Sequence, residues 1–241
     1  MLLCAMSADA QHTAQFYATS QGAVVARLLR VRLAQIWPQA TGLSVLGLGY
    51  TSPYLLPYLG HARVCIAAVP AQIGTARWPM GAPCLSCTTE EDALPFPDLS
   101  FDRVLLVHGL EAADNARRLL REAWRVLKDD GRLLVVAPNR RGWWAHVENT
   151  PFGQGQPYSP GQIGRLLRAS MFRVERRDTA LYLPPTRMPL VLRSARLWET
   201  LGRTLAPQLA GVTITEASKD LYSAVPVGAT ARRRLVFTEA G

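Results

Sequence analysis

The sequence predicts a doubly wound α/β sandwich on a mostly parallel sheet. Short, nearly all-apolar runs, "SVLGLG", "ARVCIAAV" and "RVLLV", have the composition and length of strands buried on both faces. Amphipathic stretches with helix caps lie between them, so strand and helix alternate along the chain. The last apolar run, "AGVTITEASKDLY", alternates as an edge or antiparallel strand does, which adds an antiparallel C-terminal strand. No shift in composition marks a second domain. Residues 1–241 therefore read as one domain: an N-terminal helix over 20–37, a core over about 42–180 and a C-terminal helix-and-strand excursion over 183–225.

The elements follow in order. Ser20 begins a helix with Val24, Val25, Leu28, Leu29 and Ile36 on one side. Strand "SVLGLG" runs into "SPYLLPYLG", where Ser52 is the expected N-cap and Pro53 the first helical residue. "ARVCIAAV" is a second strand and "APCLSCTT" a short third. After the Pro-rich "LPFPDLSFD", "RVLLV" is a fourth. "DNARRLLREAWRVLKDDG" is a helix capped by Asp114, lined by Leu119, Leu120, Ala123, Trp124 and Leu127, and stopped by Gly131. "RLLVVAPNRRGWW" is the next strand and its exit loop. Ser159, Pro160 and Gln162 form a capping box before another helix. "FRVERRDTALYL" reads as a strand. "LVLRSARLWETLGRTLAP" has helical apolar spacing at Val191, Ala195, Trp198, Leu201 and Leu205. Residues 142–160 and 183–212 are excursions built onto the sheet.

Hydrophobic residues make up 49% and charged residues 19%, a globular profile that excludes fibrous and disordered classes. No apolar run reaches the roughly 18–20 residues of a membrane span. "MLLCAMSADA" lacks the basic start and apolar stretch of a signal peptide, so a soluble cytoplasmic protein is expected. Cys4, Cys65, Cys84 and Cys87 do not form a disulfide framework. "CLSC" has half-site spacing but no second pair completes a tetrahedral zinc, so no metal is expected. The net charge of +9 is arginine-rich, with only Lys128 and Lys219 as lysines. It permits nucleic acid, an anionic membrane face or acidic metabolites as partners. No aromatic-interleaved basic stripe selects nucleic acid among them.

One stretch says more. In "LPFPDLSFDRVLLVHGLE" followed by "LLREAWRVLKDDGRLLVVAPNR", a Pro-rich turn precedes a strand ending in L-E. A helix carrying E-x-x-R-V-L-K and a G-R-L strand ending in P-N-R come next. This order resembles the class I S-adenosylmethionine-dependent methyltransferases, specifically the type-11 kind, over residues 20 to 180. The resemblance implies a Rossmann-like sandwich that binds S-adenosylmethionine at the carboxyl ends of its first strands. It implies an acidic residue and a G-x-G-x-G loop after strand 1. It also implies a carboxylate ending strand 2 for the ribose, and a third acidic residue for the adenine amine.

Laid on this chain, the implied cofactor contacts are Gly47, Gly49, Tyr50, Thr51, Glu90 and Glu91. Gly47 stands where the first acidic residue is usual, Thr51 and Pro53 where the later glycines are, and Ala68 to Pro70 offer no ribose carboxylate. Each charge-assisted hydrogen bond contributes roughly 1.5–3 kcal/mol. Losing two such groups weakens binding by on the order of 10²–10⁴-fold. His108 and Glu111, at the mouth of the fourth strand, are the expected acid–base pair for a hydroxyl acceptor. Asn139, Arg140, Trp143, Trp144 and Tyr158 are expected to face the acceptor, under a lid that includes Phe152. His12 and His61 read as partnerless surface residues. Three readings stay open: methyl transfer to an unidentified acceptor, a non-catalytic binding or scaffold protein of the same fold, and an RNA- or protein-directed methyltransferase. The acceptor, the physiological partner and the oligomeric state are not legible.

Overall fold

The computed structural model describes residues 8–70 and 77–221. Seven strands, β1 (Ser44–Gly49), β2 (Val64–Pro70), β3 (Ser86–Thr89), β4 (Phe101–Val107), β5 (Leu127–Pro138), β6 (Phe172–Ala180) and β7 (Val212–Lys219), form one sheet. Their order is β3-β2-β1-β4-β5-β7-β6. The first five run parallel, and β7 lies antiparallel to both neighbours. β7 is thus an internal strand, and β6 is the edge. Successive strand residues point to opposite faces and build two cores. Val45, Leu105 and Leu134 meet Val25 and Leu29 of helix α2 (Ser20–Ile36), which follows α1 (Ala8–Ala18). Leu46, Val104 and Leu133 meet α4 (Ala116–Val126) and α5 (Pro160–Ala169) on the other face.

Helix starts follow side-chain caps. Thr19 caps α2 through Gly22, and Ser159 and Gln162 form the expected capping box on α5. Asn115, rather than Asp114, caps α4. That helix stops at Val126, and Leu127 already pairs with Phe101 of β4. Gly131 lies inside β5 and ends no helix. The short helix α3 (Ser52–Leu55) begins after Thr51, not after Ser52. The C-terminal stretch breaks at Ser194 into α6 (Pro189–Arg193) and α7 (Ala195–Leu205).

The motif that carried the family resemblance is a clasp. Arg125 Nη1 donates to Phe96 O (2.8 Å) and Asp98 Oδ1 (2.7 Å), and Nη2 donates to Leu94 O (2.9 Å) and Glu122 Oε2 (2.8 Å). Glu122 Oε2 also accepts the Leu94 N–H (2.9 Å). Lys128 bonds Asp102 (2.7 Å), whose other oxygen accepts the Ser44 N–H (2.8 Å) and so ties β4 to the start of β1. These residues hold the Pro-rich turn and the strand register.

The Arg125 guanidinium holds the Glu122 carboxyl below its ordinary range. A depressed acid stabilises the fold above the unfolded pKa, and that contribution disappears as pH falls through the folded one. Glu122→Gln should therefore cost about 1 kcal/mol at pH 7 in urea denaturation. The gap to the parent should close as pH drops below about 4.

Candidate functional site

Going from β1, one crossover leads toward β2 and the other toward β4, so the crevice between β1 and β4 is the topological switch point of the sheet. Gly49 turns there with φ +86°, and a Cβ on it would stand 2.2 Å from Val107 O. Only glycine suits both constraints. Tyr50 N–H then bonds Val107 O (2.8 Å). Thr51 keeps a right-handed backbone (φ −103°), so it is not asked for the glycine conformation the family pattern uses there. Its side chain turns inward instead. A Cβ on Gly47 would lie 2.2 Å from Thr51 Oγ1, which is buried without a hydrogen-bond partner. Gly47 and Thr51 are therefore one packing solution, with threonine filling the space of the usual strand-1 acid.

Across the crevice, His108 follows β4 with φ +54°, an uncommon conformation for a residue with a Cβ. Both ring nitrogens are engaged: Nδ1 with Glu111 Oε1 (3.0 Å) and Nε2 with Tyr17 OH (2.7 Å). In the neutral ring, Nδ1 donates to the Glu111 carboxylate, which only accepts, and Nε2 is left to accept the Tyr17 hydroxyl proton. Tyr17 OH also meets Tyr54 OH (2.7 Å), and its ring stacks on Tyr50 at 5.1 Å between centroids. Burial raises the pKa of Tyr17 well above the ordinary phenol value, with Tyr54 adding to the effect. Tyr54 shifts upward for the same first reason. Both are therefore neutral phenols at neutral pH.

The loop after β5 is fastened onto this pair. Gln156 N–H bonds Glu111 O (3.0 Å), and a Cβ on Gly155 would strike the same oxygen at 2.2 Å. Phe152 packs against His108 with centroids 4.8 Å apart and against Trp144 at 5.4 Å. Gln154 bonds His12 Nδ1 (2.9 Å), so His12 has a partner and joins loop to α1; His61 is exposed.

The structure divides the residues expected to face the acceptor. Trp144 is 1% exposed, and its indole N–H donates to Leu183 O (2.6 Å). It is a core residue, because the loop folds it under Phe152 rather than over the crevice. Asn139 is buried too, its amide donating to Gln208 O (3.0 Å) and Ala210 O (2.9 Å), which fastens the C-terminal excursion. Phe152 is likewise core. Arg140 and Trp143 are exposed at the edge, while Tyr158 is half-buried with its hydroxyl 3.5 Å from Leu110 O. Glu90 is exposed beside a cavity of about 410 Å³ between Thr89–Asp92 and Asp114–Arg118. Glu91 accepts the Asp114 N–H (3.1 Å), and burial raises its pKa. Cys84 is exposed and Cys65 buried, both free; Cys4 lies outside the described residues. Sequence reasoning missed Tyr17 because nothing in "ADAQHTAQFYA" patterns α1 as a buried element.

This topology and crevice define the class I S-adenosylmethionine-dependent methyltransferase fold. A methyltransferase of Thermotoga maritima superimposes with a TM-score of 0.60 at 16% identity, over 86% of this chain and 94% of that one. One from Archaeoglobus fulgidus gives 0.56 at 17% identity, over 80% and 94%. The [4+2]-cyclase SpnF gives 0.54 at 20% identity, over 79% of each chain, so the fold is shared by proteins described by different reactions.

More particularly, residues 46–135 match the type-11 family described as "Methyltransferase domain". The UbiE ubiquinone/menaquinone biosynthesis C-methyltransferase of Pseudoalteromonas translucida is 47% identical over 45 residues, 19% of this chain and 18% of that protein. The demethylmenaquinone methyltransferase of Listeria welshimeri is 45% identical over 53 residues, 21% and 22% of the two chains. The match thus spans less than a quarter of these relatives' length.

The described residues fit the family's cofactor in two respects. Glu90 borders a cavity, and Glu111 Oε2 is a buried carboxylate oxygen with no partner, suited to a cation, whereas Gly49 and Gly109 pack backbone to backbone across the crevice. The ribose position at the end of β2 offers no carboxylate up to Pro70, and residues 71–76 lie outside the described ones.

Proposed function

We propose that the protein is a soluble, cytoplasmic S-adenosylmethionine-dependent methyltransferase whose acceptor is a hydroxylated aromatic ring. The carrying observation is the His108–Glu111 pair, buried at the switch point in a strained backbone and coupled to Tyr17. The quinone-biosynthesis relatives support the acceptor class. Loss of a phenolic proton makes a ring carbon or oxygen nucleophilic, which gives a base something to do.

Bound there, the cofactor supplies a methyl group already activated on a sulfonium. Glu90 and Glu91 would hold its adenine side, and the turn at Gly49 its methionine side, with Tyr50 as a wall. Glu111 holds His108 in the tautomer with a basic Nε2. Tyr17 gives its hydroxyl proton to Nε2 while taking the acceptor's, so the proton reaches His108 through Tyr17. Phe152 and the Gly155 turn keep water from the pair.

Calorimetric titration with S-adenosylmethionine and S-adenosylhomocysteine tests the reading. Micromolar binding is expected, weakened about 10-fold or more by Glu90→Ala. Tyr17→Phe and His108→Asn should leave cofactor affinity within a few-fold and reduce methyl transfer to a catechol or naphthoquinol probe by roughly 10²-fold.

A second reading, a non-catalytic relative, draws on one observation: the Thr51 side chain occupies the strand-1 acid's place. Absence of heat at millimolar ligand would put that reading first.

A further inference from the structure

Helix α7 is amphipathic the wrong way round for a core helix. At about 100° per residue, Leu197, Trp198, Leu201 and Leu205 fall within an arc of roughly 100°. The sequence pattern would turn such an arc inward. Instead Leu205 is 76% exposed, Leu197 58%, Leu201 47% and Trp198 36%. The buried side is made by Ala195 and by Gly202, which packs on the Tyr182 ring. Leu190 of α6 (76% exposed) and Met188 extend the outward apolar surface.

The charges around this surface are one-sided. Arg187, Arg193, Arg196 and Arg203 are exposed, and of these Arg203 carries its charge close to Glu199. Glu199, the sole acid from 187 to 205, is turned inward and accepts the N–H groups of Leu181 (3.1 Å) and Tyr182 (2.6 Å). Beside α7, a groove of about 450 Å³ is lined by Arg27, Arg32, Arg196 and Arg203, with Glu199 as the acid among them.

We infer that α6 and α7 form a docking surface for an anionic bilayer, with the leucines and Trp198 in the headgroup–acyl boundary and the arginines supplying attraction. Outward Leu and Trp with arginine elsewhere on the element is the composition of interfacial helices. Each arginine near an anionic leaflet adds about 1 kcal/mol of attraction within a Debye length. Charge argues against a second copy of this chain as the occupant, because residues 187–205 carry four exposed arginines and one acid, Glu199, already bonded to backbone N–H groups, so two such surfaces repel. Glu199 also fixes the element rigidly to the turn after β6, at the sheet edge where the crevice opens.

The test is flotation of the intact chain with vesicles of phosphatidylcholine alone and of phosphatidylcholine with 30% phosphatidylglycerol. Binding should be at least tenfold stronger to the anionic vesicles and fall as salt rises. Leu197→Asp with Leu201→Asp, both at exposed positions, should reduce it at least tenfold with the thermal midpoint unchanged. Arg196→Glu with Arg203→Glu should weaken binding to anionic vesicles and leave binding to neutral ones unchanged. Equal binding to both vesicle types, full binding by the leucine variant, or self-association of the unliganded chain in light scattering without vesicle binding would each overturn the proposal. So would binding to an acidic protein in place of lipid. None of these outcomes depends on whether the chain transfers methyl groups.

Discussion

Gly49→Val should abolish binding of S-adenosylmethionine in calorimetry and lower the thermal midpoint in the same sample. The left-handed backbone at φ +86° alone costs a β-branched residue roughly 1–3 kcal/mol. The added Cβ also meets the Val107 carbonyl at 2.2 Å, which is backbone and cannot rotate away. β1 and β4 must therefore part at the crevice, and the Tyr50 N–H to Val107 O bond goes with them. Gly47→Ala is the control, because the atoms it meets first belong to the Thr51 and Leu55 side chains. Pairing Gly47→Ala with Thr51→Gly should recover stability lost in the single variant. A Gly49→Val protein with parental affinity and midpoint would remove the crevice from consideration as a ligand cradle.

The second large effect is on stability. Trp144→Ala should cost about 3–5 kcal/mol in urea denaturation, the range for truncating a fully buried large aromatic. Phe16 and Phe152 stand edge-on to Trp144, at 6.2 and 5.4 Å, and would line the resulting void. Trp144→Phe keeps most of the ring but strands Leu183 O, so about 1–3 kcal/mol is expected from the lost indole bond. If alanine at this position were tolerated within 1 kcal/mol, the residue would not be the core anchor described above.

The contrast between these two positions shows what a one-dimensional pattern reveals. The strands were legible because a run such as "RVLLV" is short, apolar on both faces and bounded by turn formers, as a strand inside a sandwich is. Gly49 was legible because a glycine ending an apolar run marks a turn that a Cβ forbids. Trp144 was not, since a tryptophan in a loop fits a ligand platform as well as a core anchor until Leu183 arrives 39 residues later. The spacing in "LVLRSARLWETLGRTLAP" gave a helix but not its orientation, because apolar periodicity does not say which way the greasy side turns. The His108–Glu111 pair was readable as two neighbours at a strand mouth. Its coupling to Tyr17, 91 residues away in sequence, was not.

The placement of β7 has a consequence for how the chain assembles. Among the described residues, β6 touches the rest of the sheet only through β7, which is made last of the seven strands. During synthesis, β5 and β6 therefore wait with open hydrogen-bonding edges until residues 212–219 leave the ribosome and zip between them. A nascent chain stalled before Val212 carries two sticky borders, and chaperone demand should peak there.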